Sequence, residues 1–417
     1  MTICILGRQP AIGLAELESL YGSDAVRPVE KGAALVDASV EFKRLGGSQK
    51  AGEVLTTIHG SEPQKAFLWL QKNLAEQVGG VEGKLKLGVS LYGATMSVSK
   101  LNANVLTLKK QLREKGQSVR VVPNTELELS SAQTYHNNLT DERGCEIMIV
   151  RDGGSMIIAR ATDVQGIDAY RKRDQERPHR DTFVGMLPPK LAQTIINLAC
   201  GASFSEGFAF PAKRPKTDNP LAGSAPSEKD GDTSHNQAPT LLDPFCGTGV
   251  ILQEAALMGY QIYGTDLEEK MVRYTRDNIN WLFERYPIET GVYYETADAT
   301  DHTWRKPVDV VACEGYLGHP FASEPAQEAL LETIQTSNVI MKKFLTNIAG
   351  QLKPGARLCI AAPTWFVRGQ THHLPVSLKL DELGYERVAF THATNEQLIY
   401  RRADQVVGRE LLVIRKS

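Results

Sequence analysis

The stretch LLDPFCGTGVILQEA, residues 241–255, constrains the fold more than any other part of this chain. Its apolar start predicts a buried strand, its glycines a tight turn and its apolar end a helix. Further apolar strands and amphipathic helices alternate after it. This alternation is typical of a doubly wound α/β sheet, in which ligands bind where the carboxyl ends of the strands meet.

The glycine turn of this stretch excludes two common nucleotide sites. Gly247 and Gly249 allow the backbone to approach a ligand, but Leu252 stands where a dinucleotide site has its third glycine. No Lys-Ser/Thr pair follows, so the turn is not a phosphate-binding P-loop. The turn begins instead with an acid, Asp243, which suits a ligand that carries an ammonium group.

Two more acids end the next two predicted strands. Asp266 stands where a carboxylate can accept both hydroxyls of a ribose, and Asp298 where one can accept from an adenine amine. Each acid alone could also cap a helix. Ammonium, ribose and adenine together predict S-adenosylmethionine as the cofactor. The expected cofactor-binding residues are Asp243, Phe245, Gly247, Thr248, Gly249, Asp266, Leu267, Asp298 and Ala299.

Composition sets limits on the class of protein. The chain has 417 residues, which suggests two or three domains, and 42% hydrophobic residues, which is ordinary for a soluble protein. It contains no apolar run long enough for a membrane helix. The six cysteines have no CxxC spacing, so we expect neither a metal site nor disulfides, and a reduced cytoplasmic setting.

Positive charge is concentrated in two stretches, although the formal net charge is only −2. Residues 83–121 contain eight Lys or Arg and one acid, and residues 171–180 contain five against two. Either stretch could bind a polyanion. The basic residues of the helix predicted within residues 83–121 could equally face solvent without binding a partner. Residues 206–239 are rich in Pro, Gly, Ser, Lys and Asp, which predicts a disordered surface insertion.

Three groups of residues resemble one known family. They are DPFCGTGVILQEA, DAYRKRDQERPHRDTFVGMLPPKLAQTIINLA, and the chain's two ends, ICILGRQPAIGLAELESLYG and QVVGRELLVIRKS. They are similar to the THUMP-domain tRNA guanine-N2 methyltransferases, a class I, S-adenosylmethionine-dependent family. The resemblance implies an α/β, Rossmann-like methyltransferase domain preceded by α+β ferredoxin-like and THUMP domains. The implied bounds are 1–65 for the ferredoxin-like domain, 66–167 for the tRNA-binding THUMP domain, 168–205 for a linker and pre-sheet helix, 206–239 for the insertion and 240–417 for the methyltransferase domain.

The resemblance also implies the activity: methylation of the exocyclic amine of a guanine in tRNA, near position ten. The family's catalytic loop is Asp-Pro-Pro-Tyr, whereas this chain has Glu314, Gly315, Tyr316 and Leu317. We therefore expect Glu314 and Tyr316 to act on the substrate, with His319 and Phe321 as nearby alternatives. Three interpretations stay open: a guanine methyltransferase, a methyltransferase on another RNA base or on DNA, and a tRNA-binding protein with a vestigial cofactor pocket. A monomer is the default oligomeric state. Whether the protein needs a small activator subunit, as some relatives do, stays open.

Overall fold

Two mixed β-sheets organise the chain, one in each of two units. The computed structural model describes residues 1–30, 32–78, 81–181, 187–202, 238–318, 321, 323–402 and 405–417. The first unit is Met1–Lys172 with Phe390–Gln397, and the second is Arg173–Ala389 with Leu398–Ser417. The predicted insertion, apart from Ala238 and Pro239, lies outside the described residues.

The first unit is built on an eight-stranded sheet with four helices. Its strands follow the order β2-β3-β1-β4-β8-β7-β5-β6. The elements are β1 (Thr2–Leu6), α1 (Pro10–Tyr21), β2 (Val26–Val29), β3 (Ala33–Val36), β4 (Ser48–His59), α2 (Pro63–Gln77), β5 (Leu85–Tyr92), α3 (Val98–Glu114), β6 (Val119–Val121), α4 (Ser131–His136), β7 (Gly144–Asp152) and β8 (Ser155–Val164).

Strand β4 joins the two halves of this sheet. It pairs with β1 on one side and with β8 on the other. The implied boundary between residues 65 and 66 falls just after the start of α2, so the sheet is continuous through both implied domains. The division into a ferredoxin-like and a THUMP domain therefore stays a prediction. The structure also places residues 390–397 in this unit, whereas the sequence assigned them to the methyltransferase domain.

Helix α3 forms where the apolar spacing predicts it. Its four regularly spaced apolar residues, Leu101, Val105, Leu108 and Leu112, are all buried. The Ser97 hydroxyl accepts from the backbone N–H of Lys100 at 3.2 Å and so caps the start of the helix. Lys110 and Arg113 lie on the exposed face of the same helix.

The second unit is built on a sheet in the order β11-β10-β9-β12-β13-β17-β15. Strands β9 to β13 run parallel to one another. Helix α5 (Ile167–Gln175) crosses from the first unit into the second. The other elements are α6 (Pro189–Cys200), β9 (Thr240–Asp243), α7 (Val250–Leu257), β10 (Gln261–Asp266), α8 (Glu269–Arg285), β11 (Val292–Thr296), β12 (Val310–Glu314), α9 (Gln327–Ala349), β13 (Arg357–Val367), β14 (Gln370–His372), β15 (Tyr385–Arg387), β16 (Ile399–Tyr400) and β17 (Val407–Lys416).

The last strand runs against the parallel direction of β9 to β13. β17 lies between β13 and β15 and is antiparallel to both. A parallel strand needs a crossover connection, usually a helix, and the described residues between β15 and β17 form no α-helix. The point where the chain reverses its direction of strand addition lies between β9 and β12, which pair with each other. Ligand sites in such sheets lie at this position.

The described residues bear on the expectations about membrane helices, metal sites, cysteines and basic stretches. None of their helices is both long and apolar enough to cross a lipid bilayer. No cluster of three or more His, Cys, Asp or Glu side chains among them could hold a metal ion. All six cysteines are buried free thiols.

The basic stretch at residues 171–180 is partly structural, because Arg173 and Arg177 are buried.

Candidate active site at the strand ends

A cavity of about 830 Å³ opens at the carboxyl ends of the parallel strands in the second unit. This volume lies within the range for small-molecule sites. The cavity combines carboxylates, aromatic rings and two cations. Its lining includes Phe245, Asp266, Leu267, Glu268, Asp298, Ala299, Glu314, Gly315, Tyr316, Leu317, Phe321, Lys343, Val407 and Arg409.

The glycine turn after β9 is fixed by hydrogen bonds from two neighbouring elements. Gly249 has φ +80°, and a Cβ there would lie 2.9 Å from the Thr275 side chain of α8. The Thr275 hydroxyl donates to the Gly247 carbonyl at 2.9 Å. The Gly247 N–H donates to the Asp266 carboxylate at 2.9 Å. The sequence therefore needs glycine at position 249 for both its left-handed backbone and its close packing.

The acids at the ends of β10 and near the end of β11 both line the cavity. The Asp266 carboxylate also accepts from the Glu268 N–H at 3.0 Å, and the remaining lone pairs of its oxygens are available to a ligand. Asp298 is exposed and accepts from the Thr300 N–H at 2.9 Å. That hydrogen bond lowers the pKa of Asp298 below its usual range, so this carboxylate is ionised at neutral pH.

Asp243 lies behind the cavity wall, with only 2% of its surface exposed. Its carboxylate accepts from the Phe245 N–H at 3.2 Å. Burial raises the pKa of the Asp243 carboxyl well above its usual range, and the negative charges of Asp266 and Glu314 raise it further. A cationic ligand would stabilise the ionised form of this buried carboxyl, so Asp243 suits a ligand that carries a positive charge. Gly247, Thr248 and Gly249 likewise support the site from outside its lining.

The end of β12 and the loop after it present the two residues expected to act on the substrate. Glu314 and Tyr316 line the cavity, and Tyr316 is 39% exposed. The Gly315 N–H donates to the Ala361 carbonyl of β13 at 3.0 Å. A proline at this position, as in the Asp-Pro-Pro-Tyr pattern, has no N–H to give to that bond. Phe321 also lines the cavity, whereas His319 lies outside the described residues.

Two residues that the sequence did not single out hold this site together. Arg409 of β17 donates from Nε to the Glu314 carboxylate. Asn278 of α8 is fully buried and donates from Nδ2 to the carbonyls of Thr248, at 2.8 Å, and His179, at 2.9 Å. The sequence did contain a signal for Arg409. It lies within the apolar strand GRELLVIRKS, and Arg is rarely buried without a partner. No comparable signal marks Asn278, since α8 has many polar residues.

Residues 233–363 match the family profile described as RMKL-like, methyltransferase domain. This part of the chain is similar to that methyltransferase domain. The curated relatives that match the chain include a tRNA (guanine(10)-N2)-dimethyltransferase of Methanothermobacter thermautotrophicus, 29% identical over 50% of this chain and 46% of the relative. The protein of the same name from Pyrococcus abyssi is 49% identical over 12% of this chain and 16% of the relative. The chain therefore spans less than half the length of either relative.

One solved structure is similar in fold to this chain. TrmN from Thermus thermophilus superposes with a TM-score of 0.50 at 16% identity, covering 100% of this chain and 99% of that one. At this identity the likeness concerns the fold alone. The predicted class I methyltransferase fold and the predicted resemblance to tRNA guanine-N2 methyltransferases are confirmed.

Proposed function

We propose that this chain is an S-adenosylmethionine-dependent methyltransferase that acts on the exocyclic amine of a guanine in tRNA, near position ten. The observation that carries the proposal is the cavity of about 830 Å³ that brings Asp266, Asp298, Glu314 and Tyr316 together at the strand ends. The names of the matching relatives support tRNA and guanine as the substrate. The intact cavity, with its acid and its aromatic ring, argues against a vestigial pocket.

The residues present suit S-adenosylmethionine, which when bound supplies an activated methyl group on a cationic sulfur. Asp266 is placed to accept from the ribose hydroxyls and Asp298 from the adenine amine. Asp243 acts from behind the cavity wall, because a cationic ligand would stabilise the ionised form of its buried carboxyl. Phe245, Leu267 and Ala299 supply apolar surface in the cavity. Gly247, Thr248 and Gly249 shape the turn on which these contacts depend.

The substrate amine needs to be positioned more than it needs a strong base. Its lone pair is delocalised into the guanine ring, so the base must be extruded, stacked and hydrogen-bonded while the methyl group transfers. Glu314 accepts a hydrogen bond from the amine, and Tyr316 packs against the extruded base. The amine proton becomes acidic once the nitrogen carries the methyl group, so a carboxylate is sufficient to accept it.

We assign tRNA binding in part to the basic face of α3. Lys110 and Arg113 are exposed, and Lys109 is partly so. Lys110 also lies 4.0 Å from Glu114, a contact between exposed groups that contributes little. These cations can neutralise phosphates without disturbing the buried side of the helix. We take the chain to be a cytoplasmic monomer, and the need for a small activator subunit stays open.

Methyl transfer to bulk tRNA tests the proposal. The protein is incubated with labelled S-adenosylmethionine and tRNA, or DNA in parallel, and the modified nucleoside is identified by mass spectrometry. N2-methylguanosine is the expected product. Glu314→Gln should lower turnover by about 10²-fold with little change in cofactor affinity. Glu386→Gln, an exposed acid of β15, is the matched control. Cofactor binding by the wild type without transfer to any nucleic acid would instead identify a binding protein.

A further inference from the structure

Glu314 and Arg409 form an ion pair in the wall of the cavity. Arg409 Nε donates to Glu314 Oε1, and only 10% and 13% of the Arg409 and Glu314 side chains are exposed. Their strands are not adjacent, because β13 lies between β12 and β17. Removing two charges from water costs free energy that a hydrophobic pair would not cost, so such a pair is weak evidence for a role in stability.

Each member of the pair keeps hydrogen-bonding capacity for a ligand. Among the residues that the structure describes, Glu314 makes one side-chain hydrogen bond and Arg409 makes the same one. Glu314 Oε2 therefore remains an acceptor, and the two Nη groups of Arg409 remain donors. Both residues line the cavity. The Arg409 side chain is nine-tenths buried, so an acceptor that reaches its Nη groups from the cavity would meet little competing water.

An acceptor, Glu314, beside a donor, Arg409, complements the hydrogen-bonding edge of one base. The Watson–Crick edge of guanine presents, in order, the 2-amine and N1–H as donors and O6 as an acceptor. Adenine and cytosine place a ring-nitrogen acceptor beside their amines, which would face the Glu314 carboxylate. Uracil has no exocyclic amine. Arginine commonly donates to guanine O6 in the major groove of DNA, and enzymes that extrude a base read it by hydrogen bonds to its Watson–Crick edge.

We propose that Arg409 determines specificity for guanine by donating from Nη to O6, while Glu314 accepts from the 2-amine and N1–H. This inference rests on the proposed function of the site. Val407, two residues before Arg409 and on the same face of β17, also lines the cavity and gives the edge of the base an apolar neighbour. The charge of Arg409 also holds Glu314 in place, so its removal would affect both recognition and positioning.

Base analogues at the modified nucleotide separate these roles. The probe is a tRNA transcript carrying guanosine or 2-aminopurine at the position that the wild type methylates. 2-Aminopurine keeps the 2-amine but lacks O6 and N1–H. The wild type should show a kcat/KM about 5- to 150-fold or more higher for guanosine, the range for one well-placed base contact. Equal kcat/KM values for the two transcripts would overturn the proposal without any variant.

Arg409→Lys keeps a cation beside Glu314 but cannot pair with the carboxylate and O6 as a fork. It should lower kcat/KM for guanosine by about 5- to 150-fold while changing that for 2-aminopurine by less than about threefold. Equal reductions on both transcripts would show that Arg409 only positions Glu314. Arg415→Lys, at an exposed ion pair on the same strand, is the control. If the wild type methylates no guanosine transcript and no bulk tRNA, the proposed function fails and this inference fails with it.

Discussion

The backbone N–H of Gly315 donates to the carbonyl of Ala361 at 3.0 Å, which ties the loop after β12 to β13. Gly315→Pro should remove this bond and lower the free energy of unfolding by about 0.5–1.5 kcal/mol, with lower activity because Glu314 is the adjacent residue. Gly315→Ala keeps the N–H, and its Cβ would lie 2.7 Å from the flexible end of Met341 and 3.7 Å from atoms of Ala361 and Ile360, which is ordinary contact. Urea unfolding of both variants checks the prediction, and equal stabilities would contradict it.

Asn278 supports the glycine turn from α8. Its side chain donates to the Thr248 and His179 carbonyls and accepts from the His179 N–H at 2.9 Å. Asn278→Ala should cost about 1–3 kcal/mol of stability, because buried groups are left without their partners. Cofactor affinity should fall as the turn loosens. Asn280→Ala, at an exposed position of the same helix, is the matched control for denaturation and calorimetry. A destabilisation no larger than that of the control would remove Asn278 from the support of the site.

The sequence predicts local elements of this chain better than its long-range pairs. The strand after the glycine turn was expected to end at Asp266, and β10, Gln261–Asp266, ends there. The acids at strand ends could be placed because parallel strands bring their carboxyl ends to one edge. The Glu314–Arg409 pair joins residues 95 positions apart. It depends on the antiparallel insertion of β17 beside β13, and apolar periodicity carries no information about strand order. The buried role of Asn278 was hidden for a related reason, since its contacts come from segments distant in sequence.

Binding of tRNA should depend on the exposed cations of α3. Replacing Lys109, Lys110 and Arg113 with Ala should weaken binding and reduce the salt slope of log K by about 0.7–0.9 for each phosphate that the variant no longer neutralises. The buried residues of α3 are untouched, so stability should change little. Filter binding of tRNA at several salt concentrations measures both quantities. Replacing exposed Lys342 and Lys353 of the second unit is the control. An unchanged slope in the α3 variant would mean that this face is merely solvated.

The raised pKa of Asp243 predicts opposite effects on stability and on cofactor affinity. Burial raises this pKa above the unfolded value of about 3.9, so the folded protein resists ionisation of the group. The stability contributed by the neutral carboxyl is fully present below the unfolded pKa and is lost as pH rises through the folded pKa. Asp243→Asn keeps an oxygen acceptor for the Phe245 N–H without the charge. Urea unfolding should therefore find this variant more stable than the wild type near pH 8, and similar to it near pH 4.

Affinity for S-adenosylmethionine should respond in the other direction. A cationic ligand stabilises the ionised carboxylate, so wild-type affinity should rise with pH through the raised pKa of Asp243. Asp243→Asn should bind more weakly at pH 8 and lose part of that pH dependence. The Asp266 carboxyl, whose pKa burial also raises, is present in both proteins, so the difference between them isolates Asp243. Calorimetric titrations between pH 5 and 8 decide the matter. A variant that is more stable yet binds the cofactor as tightly as the wild type would show that Asp243 does not interact with the ligand's positive charge.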